Sequence, residues 1–115
     1  MRYHELKVQT WIQKDNKPYF VTAIDDEEIH LSLYGLYQHY FSPAEFPTDF
    51  EPLTLPKFNV GDKVLYRQIT SKTYERTVVT IVEVDEHDNL EKYVVRDNEL
   101  DIPWIMPIEV EPIDY

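Results

Sequence analysis

Through most of this chain the apolar residues return at every second position, and that spacing restricts the fold more than any other feature. Ile29, Leu31 and Leu33 alternate with polar neighbours, while Ile102, Trp104, Met106, Ile108 and Val110 share one parity and Pro103 and Pro107 the other. A period of two puts alternate side chains on opposite faces of a pleated strand; an amphipathic helix needs a period near 3.6. With only two Gly and eight Pro in 115 residues, the chain reads as mainly β.

The first half divides into three strands. Leu6, Val8 and Ile12 fall on one parity with Trp11 on the other, Tyr19-Phe20-Val21-Thr22-Ala23-Ile24 is β-branched and aromatic, and Ile29, Leu31 and Leu33 alternate again. Lys14-Asp15-Asn16-Lys17-Pro18 supplies a polar turn and Asp25-Asp26-Glu27-Glu28 an acidic hairpin loop, so a meander is expected. Over residues 34–41 the alternation breaks. Tyr34, Tyr37 and Phe41 stand three and four apart, the spacing of one side of a helical turn, and the pattern predicts a short helical turn there. Pro43, Pro47, Pro52 and Pro56 then allow only short or edge strands.

The second half opens on Phe58-Asn59-Val60-Gly61-Asp62 and a strand through Val64-Leu65-Tyr66. Residues 77–84 are strongly β-prone, Asp85-Glu86-His87-Asp88-Asn89 is a polar turn, and Tyr93-Val94-Val95 marks another strand before Asp97-Asn98 turns again. From residue 102 on, the prolines force the backbone along an edge or into two pieces.

Two sets of segments align with one another. Val21-Thr22-Ala23-Ile24-Asp25-Asp26 matches Ile81-Val82-Glu83-Val84-Asp85-Glu86, and Ser42-Pro43-Ala44-Glu45-Phe46 matches Met106-Pro107-Ile108-Glu109-Val110. After an extra Pro47-Thr48-Asp49-Phe50, Glu51-Pro52-Leu53 matches Glu111-Pro112-Ile113. The alignment points to a tandem repeat, with one module over residues 1–56 and a second over 57–115; the other reading is one β-rich domain. Modules of this size bury too little surface to be robust alone, and no cysteine staples them. A tight pair of modules or a homodimer is therefore expected, with Trp11, Tyr34, Tyr37, Tyr40 and Phe41 available for the contact.

Residues 57–115 resemble a small SH3-like barrel of the Tudor or KOW type. The residues that carry the resemblance are the Val60-Gly61-Asp62-Lys63-Val64 turn into a strand, the strands Ile81-Val82-Glu83-Val84-Asp85 and Tyr93-Val94-Val95-Arg96-Asp97, and the closing Pro107-Ile108-Glu109-Val110-Glu111-Pro112. The first half lacks the V-G-D turn and offers residues 6–12 as its opening strand, which makes it a degenerate copy. The resemblance implies a mainly β architecture of two tandem SH3-like modules packed together. It also implies an aromatic cage for a methylated ammonium, with Tyr66, Tyr93 and Trp104 near strand ends as its walls; the other reading of Tyr66 and Trp104 is packing in the core or at its rim.

The charge narrows the function. Eleven Lys and Arg stand against 22 Asp and Glu, a net charge of −11, and affinity for a phosphate backbone comes largely from Lys and Arg displacing counterions. This balance argues against direct nucleic-acid binding. The absence of Cys suits a reducing compartment, and no apolar run reaches the ~18–20 residues a membrane span requires. A cytoplasmic location without membrane insertion is expected. No phosphate loop, metalloprotease helix, nucleophile elbow or EF-hand pattern occurs, and His4, His30, His39 and His87 lack ligand spacing. No catalytic residue, metal or cofactor is therefore assigned. The expected function is a non-enzymatic module that binds a protein or peptide through an aromatic surface including Tyr37, Tyr66, Tyr93 and Trp104. The alternative is an acidic DNA mimic, encoded by a mobile element, that inhibits a nucleic-acid-binding protein.

Overall fold

A computed structural model describes residues 3–113. The chain divides into two units, Met1–Thr54 and Leu55–Tyr115, each with one five-stranded antiparallel sheet and its own core. The helical content among the described residues is three short 3-10 turns, Tyr3–Glu5, Pro43–Glu45 and Pro107–Glu109. Among the described residues no helix is long and apolar enough to cross a membrane.

In the first unit, β1 (Trp11–Lys14), β2 (Lys17–Ile24), β3 (Ile29–Leu33) and β4 (Tyr37–Phe41) form a meander. The chain then passes through the Pro43–Glu45 turn, and β5 (Glu51–Pro52) returns to the far side of β1, giving the order β4-β3-β2-β1-β5. The first hairpin is tight because Asp15 and Asn16 both take positive φ, 54° and 62°. That is the geometry of a two-residue turn whose twist suits the flanking strands, and Asn and Asp are among the few residues that tolerate it.

In the second unit, β6 (Lys63–Tyr66), β7 (Thr77–Val84), β8 (Tyr93–Asp97) and β9 (Leu100–Ile105) form the meander. Beyond the Pro107–Glu109 turn, β10 (Val110–Pro112) pairs with β6, giving the order β10-β6-β7-β8-β9. The strand order is thus the same in both units, and the registers correspond. Ile12 faces Pro52 and Val64 faces Pro112. The β2–β3 ladder shifts between Val21 and Ala23, and the β7–β8 ladder shifts between Ile81 and Glu83. Each bulge adds one residue at the same step of its strand and increases the local twist.

The cores correspond as well. Leu6, Ile12, Val21, Ile29, Leu31 and Phe46 line the first, and Phe58, Val64, Ile81, Tyr93, Val95 and Val110 hold the matching places in the second. Where the second core has the Tyr93 ring against Phe58, the first has the smaller Ile29 and Leu6. There Phe50, from the segment with no counterpart, stacks on Phe46 at 5.1 Å and meets Tyr19 edge-on at 5.1 Å. The extra segment restores ring volume to a core that would otherwise be thinner. Full burial of such side chains contributes about 1.5–3 kcal/mol each.

Two expectations are corrected. Residues 34–41 form no helical turn: Tyr34 and Gly35 take φ of 56° and 73° in a hairpin turn, and Tyr37–Phe41 pairs along its whole length with β3. Cross-strand hydrogen bonds offered by β3 outweigh a local aromatic spacing. Residues 6–12 are likewise not one strand. The chain turns at Gln9 (φ 60°), the Gln9 amide donates to the Val21 carbonyl at 2.7 Å, and the strand begins only at Trp11. Gly61 (φ 95°) does the same for the second unit, donating to the Ile81 carbonyl at 2.8 Å. Val8-Gln9-Thr10 therefore stands where the second unit has Val60-Gly61-Asp62. The broken strand expected from residue 102 on is found as the edge strand β9, a 3-10 turn and β10.

Candidate functional site

Of the four aromatic residues singled out from sequence, two face solvent and two serve the second core. Tyr93 opens β8 and is 1% exposed; its hydroxyl accepts a hydrogen bond from the Phe58 amide at 3.3 Å. Tyr66 ends β6, faces Val110 and Thr77 across the two ladders, and packs half-buried against the same core. Burial holds both phenols above their ordinary pKa, and the charge of Glu109 adds to the effect at Tyr66. A cage with Tyr93 as a wall has no accessible face on that side, because the ring that would stack on a ligand is spent on Phe58. This corrects the cage expectation for Tyr93.

Trp104 is 40% exposed on the edge strand β9 and takes φ 48°. The β8–β9 ladder shifts between Tyr93 and Val95, with Ile105 and Ile102 as their partners. The extra residue on β9 creates a bulge, and a bulky side chain in the left-handed region is held there by the pairing on either side. In the long β6–β7 connection, Arg67 ties the loop together. Its Nε donates to the Thr73 carbonyl at 2.6 Å, its Nη2 to the Ser71 carbonyl at 2.9 Å, and its guanidinium lies 5.3 Å from the centre of the exposed Tyr74 ring.

Two exposed aromatic residues stand on β4. Tyr37 is 58% exposed and Tyr40 is 59% exposed. Strand alternation sends them to opposite faces. Phe41, on the parity of Tyr37, enters the first core, and His39 meets Tyr19 edge-on at 5.9 Å. On the other face Tyr40 meets its cross-strand partner His30 edge-on at 4.7 Å, and the Gln38 amide donates to the Ser32 hydroxyl at 2.7 Å. Tyr40 was not singled out from sequence as a binding residue. The signal available was its parity against Tyr37, which marks a strand aromatic on both faces, but that reading requires knowing that residues 37–41 are a strand.

The acidic hairpin tips are built by their own carboxylates. Asp25 Oδ1 accepts from the amides of Glu27 at 2.8 Å and Glu28 at 2.6 Å, and these two bonds hold its carboxyl below the ordinary range. Asp85 accepts from the His87 amide at 2.9 Å, and Asp88 accepts from the Leu90 and Glu91 amides at 2.8 and 2.9 Å. Glu28 in turn lies 3.1 Å from His30, next to the Tyr40 ring. No cluster of three or more His, Asp or Glu suited to a metal ion occurs among the described residues.

Comparisons of the chain with family models, with curated proteins and with solved structures return no match.

Proposed function

We propose that this protein is a non-enzymatic adaptor, built of two tandem SH3-like modules, that binds a protein or peptide partner through exposed aromatic side chains. The observation that carries the reading is the placement of Tyr37 and Tyr40, both more than half exposed on one edge strand. Exposed rings cost little conformational entropy to order and bury a large area on contact. The SH3-like assignment draws support from the shared strand order, the matched bulges and the Pro-initiated 3-10 turn before each last strand. The cysteine-free composition supports a reducing, cytoplasmic setting.

The acidic-decoy alternative finds less support in the side chains. Mimicry of a phosphate row needs carboxylates free on one face, whereas Asp25, Asp85 and Asp88 serve turn amides, Glu109 is buried, and Asp101 is paired with Arg96 at 2.7 Å.

The test is a displayed library of linear peptides panned on the immobilised full chain, followed by calorimetry on recovered sequences. We expect binders whose affinity falls about tenfold, the loss of one well-buried ring contact, in at least one of Tyr37→Ala, Tyr40→Ala and Trp104→Ala. Recovery of no binder, or of binders indifferent to all three substitutions, would overturn the reading.

A further inference from the structure

The two sheets have four edges, and three of them are blunted. β5 is two residues long and contains Pro52, β10 is three residues long and contains Pro112, and β9 contains Pro103 and a bulge at the strained Trp104. Proline, brevity and bulging are the usual means of stopping an exposed edge from pairing with another chain. β4 has none of them. Tyr37-Gln38-His39-Tyr40-Phe41 runs five residues in unbroken register with β3, without proline, Lys, Arg, Asp or Glu, and among the described residues it pairs on one side only. Its outer side presents alternate amides and carbonyls at the spacing of an antiparallel ladder. From this contrast we infer that the outer edge of β4 is a docking edge that accepts an extended basic peptide as a sixth strand of the first sheet.

The charge pattern selects the occupant. From Pro18 to Pro56 the chain has no Lys or Arg, while Asp25, Asp26, Glu27, Glu28, Glu45, Asp49 and Glu51 all fall within it. Ile29, the neighbour of Glu28, is the partner of Phe41, so the acidic β2–β3 tip stands at one end of the docking edge. Behind β4 and β3 in the first sheet the basic residues are Lys17 on β2 and Lys14 on β1, and Lys14 lies 3.7 Å from Asp15 and 3.8 Å from Asp49. A second copy of the chain would bring this acid-only segment against itself. A strand carrying Lys or Arg would instead meet acids at its end and tyrosine rings along both faces, where cations are attracted to the ring face.

This inference rests on the peptide-binding reading above and adds to it the mode of pairing and the sign of the partner. The probe is a blocked synthetic peptide of alternating valine and lysine, titrated into the full-length protein. Its controls are the valine–glutamate counterpart and a valine–lysine peptide N-methylated at alternate residues. We expect amide exchange to slow at residues 37–41, affinity to fall at least about tenfold with glutamate, with N-methylation and with Tyr40→Lys, and binding to weaken as salt is raised. Tyr40 is largely exposed, so its substitution leaves the fold intact, and a circular dichroism spectrum checks this.

Equal binding of the N-methylated peptide, or protection confined to β9, overturns the edge inference while leaving aromatic binding intact. Equal binding of the glutamate peptide overturns the choice of occupant. So does concentration-dependent dimerisation in sedimentation that Tyr40→Lys abolishes, since the edge would then pair with a second copy. A valine–lysine peptide that does not bind at all, while library-derived peptides bind through Tyr37 or Trp104, removes the edge inference alone.

Discussion

Glu109 and Glu45 occupy matching places in the two 3-10 turns, yet their surroundings make them energetically different residues. Glu109 is buried; its carboxylate accepts from the Met106 amide at 2.9 Å and the Ile69 amide at 3.0 Å, fastening the turn to the long β6–β7 loop. Glu45 is exposed. Glu109→Ala should therefore lower stability by about 2–3 kcal/mol, the cost of leaving buried donors unpaired, while Glu45→Ala should stay within about 0.5 kcal/mol; urea unfolding of the two variants checks the contrast. Tyr93→Phe deletes the acceptor of the Phe58 amide and should cost about 1 kcal/mol. It should also change the alkaline limb of stability. The Tyr93 phenol is held above its ordinary value of 10.0, mainly by burial, so the unfolded chain ionises first and stability falls as the pH rises past that value. Thermal unfolding across alkaline pH should show a shallower fall for Tyr93→Phe than for the wild type, with Tyr66 supplying the remainder.

At the scale of turns and strands, backbone conformation accounts for effects that side-chain contacts do not. A methyl at Gly61 would meet nothing within 4 Å, yet φ is 95° there. Gly61→Ala should still cost about 1 kcal/mol through conformation alone. Asn16 at φ 62° closes the β1–β2 hairpin, and Asn16→Gly should raise stability by a few tenths to about 1 kcal/mol; a melting series on both variants tests the pair. These positions also mark the limits of what local sequence reveals. Residues 77–84 read as a strand because β-branched residues fill them, and β7 has those bounds. Gln9 gave no sign of a left-handed turn, since glutamine rarely adopts one, and its amide bonds the Val21 carbonyl across the sheet there. Tyr37 and Phe41 stand at helical spacing, and the pairing with β3 decided otherwise.

The whole molecule carries a net charge of −11, and its acids repel one another wherever turn amides or cations do not hold them. Moving from very low salt to about 0.15 M, where the screening length is about 8 Å, should stabilise the fold by about 1 kcal/mol and raise the melting temperature by a few degrees. A fall in melting temperature over that range would mean that ion pairs such as Arg76–Glu111 at 2.9 Å and Arg96–Asp101 outweigh the repulsion. The candidate surface was half legible: Tyr37 and Trp104 were identified from sequence and face solvent, whereas Tyr66 and Tyr93 were identified by the same signal and lie against the core. A tyrosine near a strand end looks the same in either position, because its exposure depends on what packs over it. By itself the sequence determined the β class and the polar hairpin tips at residues 14–18, 25–28, 85–89 and 97–98, since period, turn chemistry and proline act within a few residues. Tertiary structure alone decided which strand became the unprotected edge and which rings reached solvent. Both depend on pairing between residues far apart in the chain, and alternation along one strand carries no record of its partner.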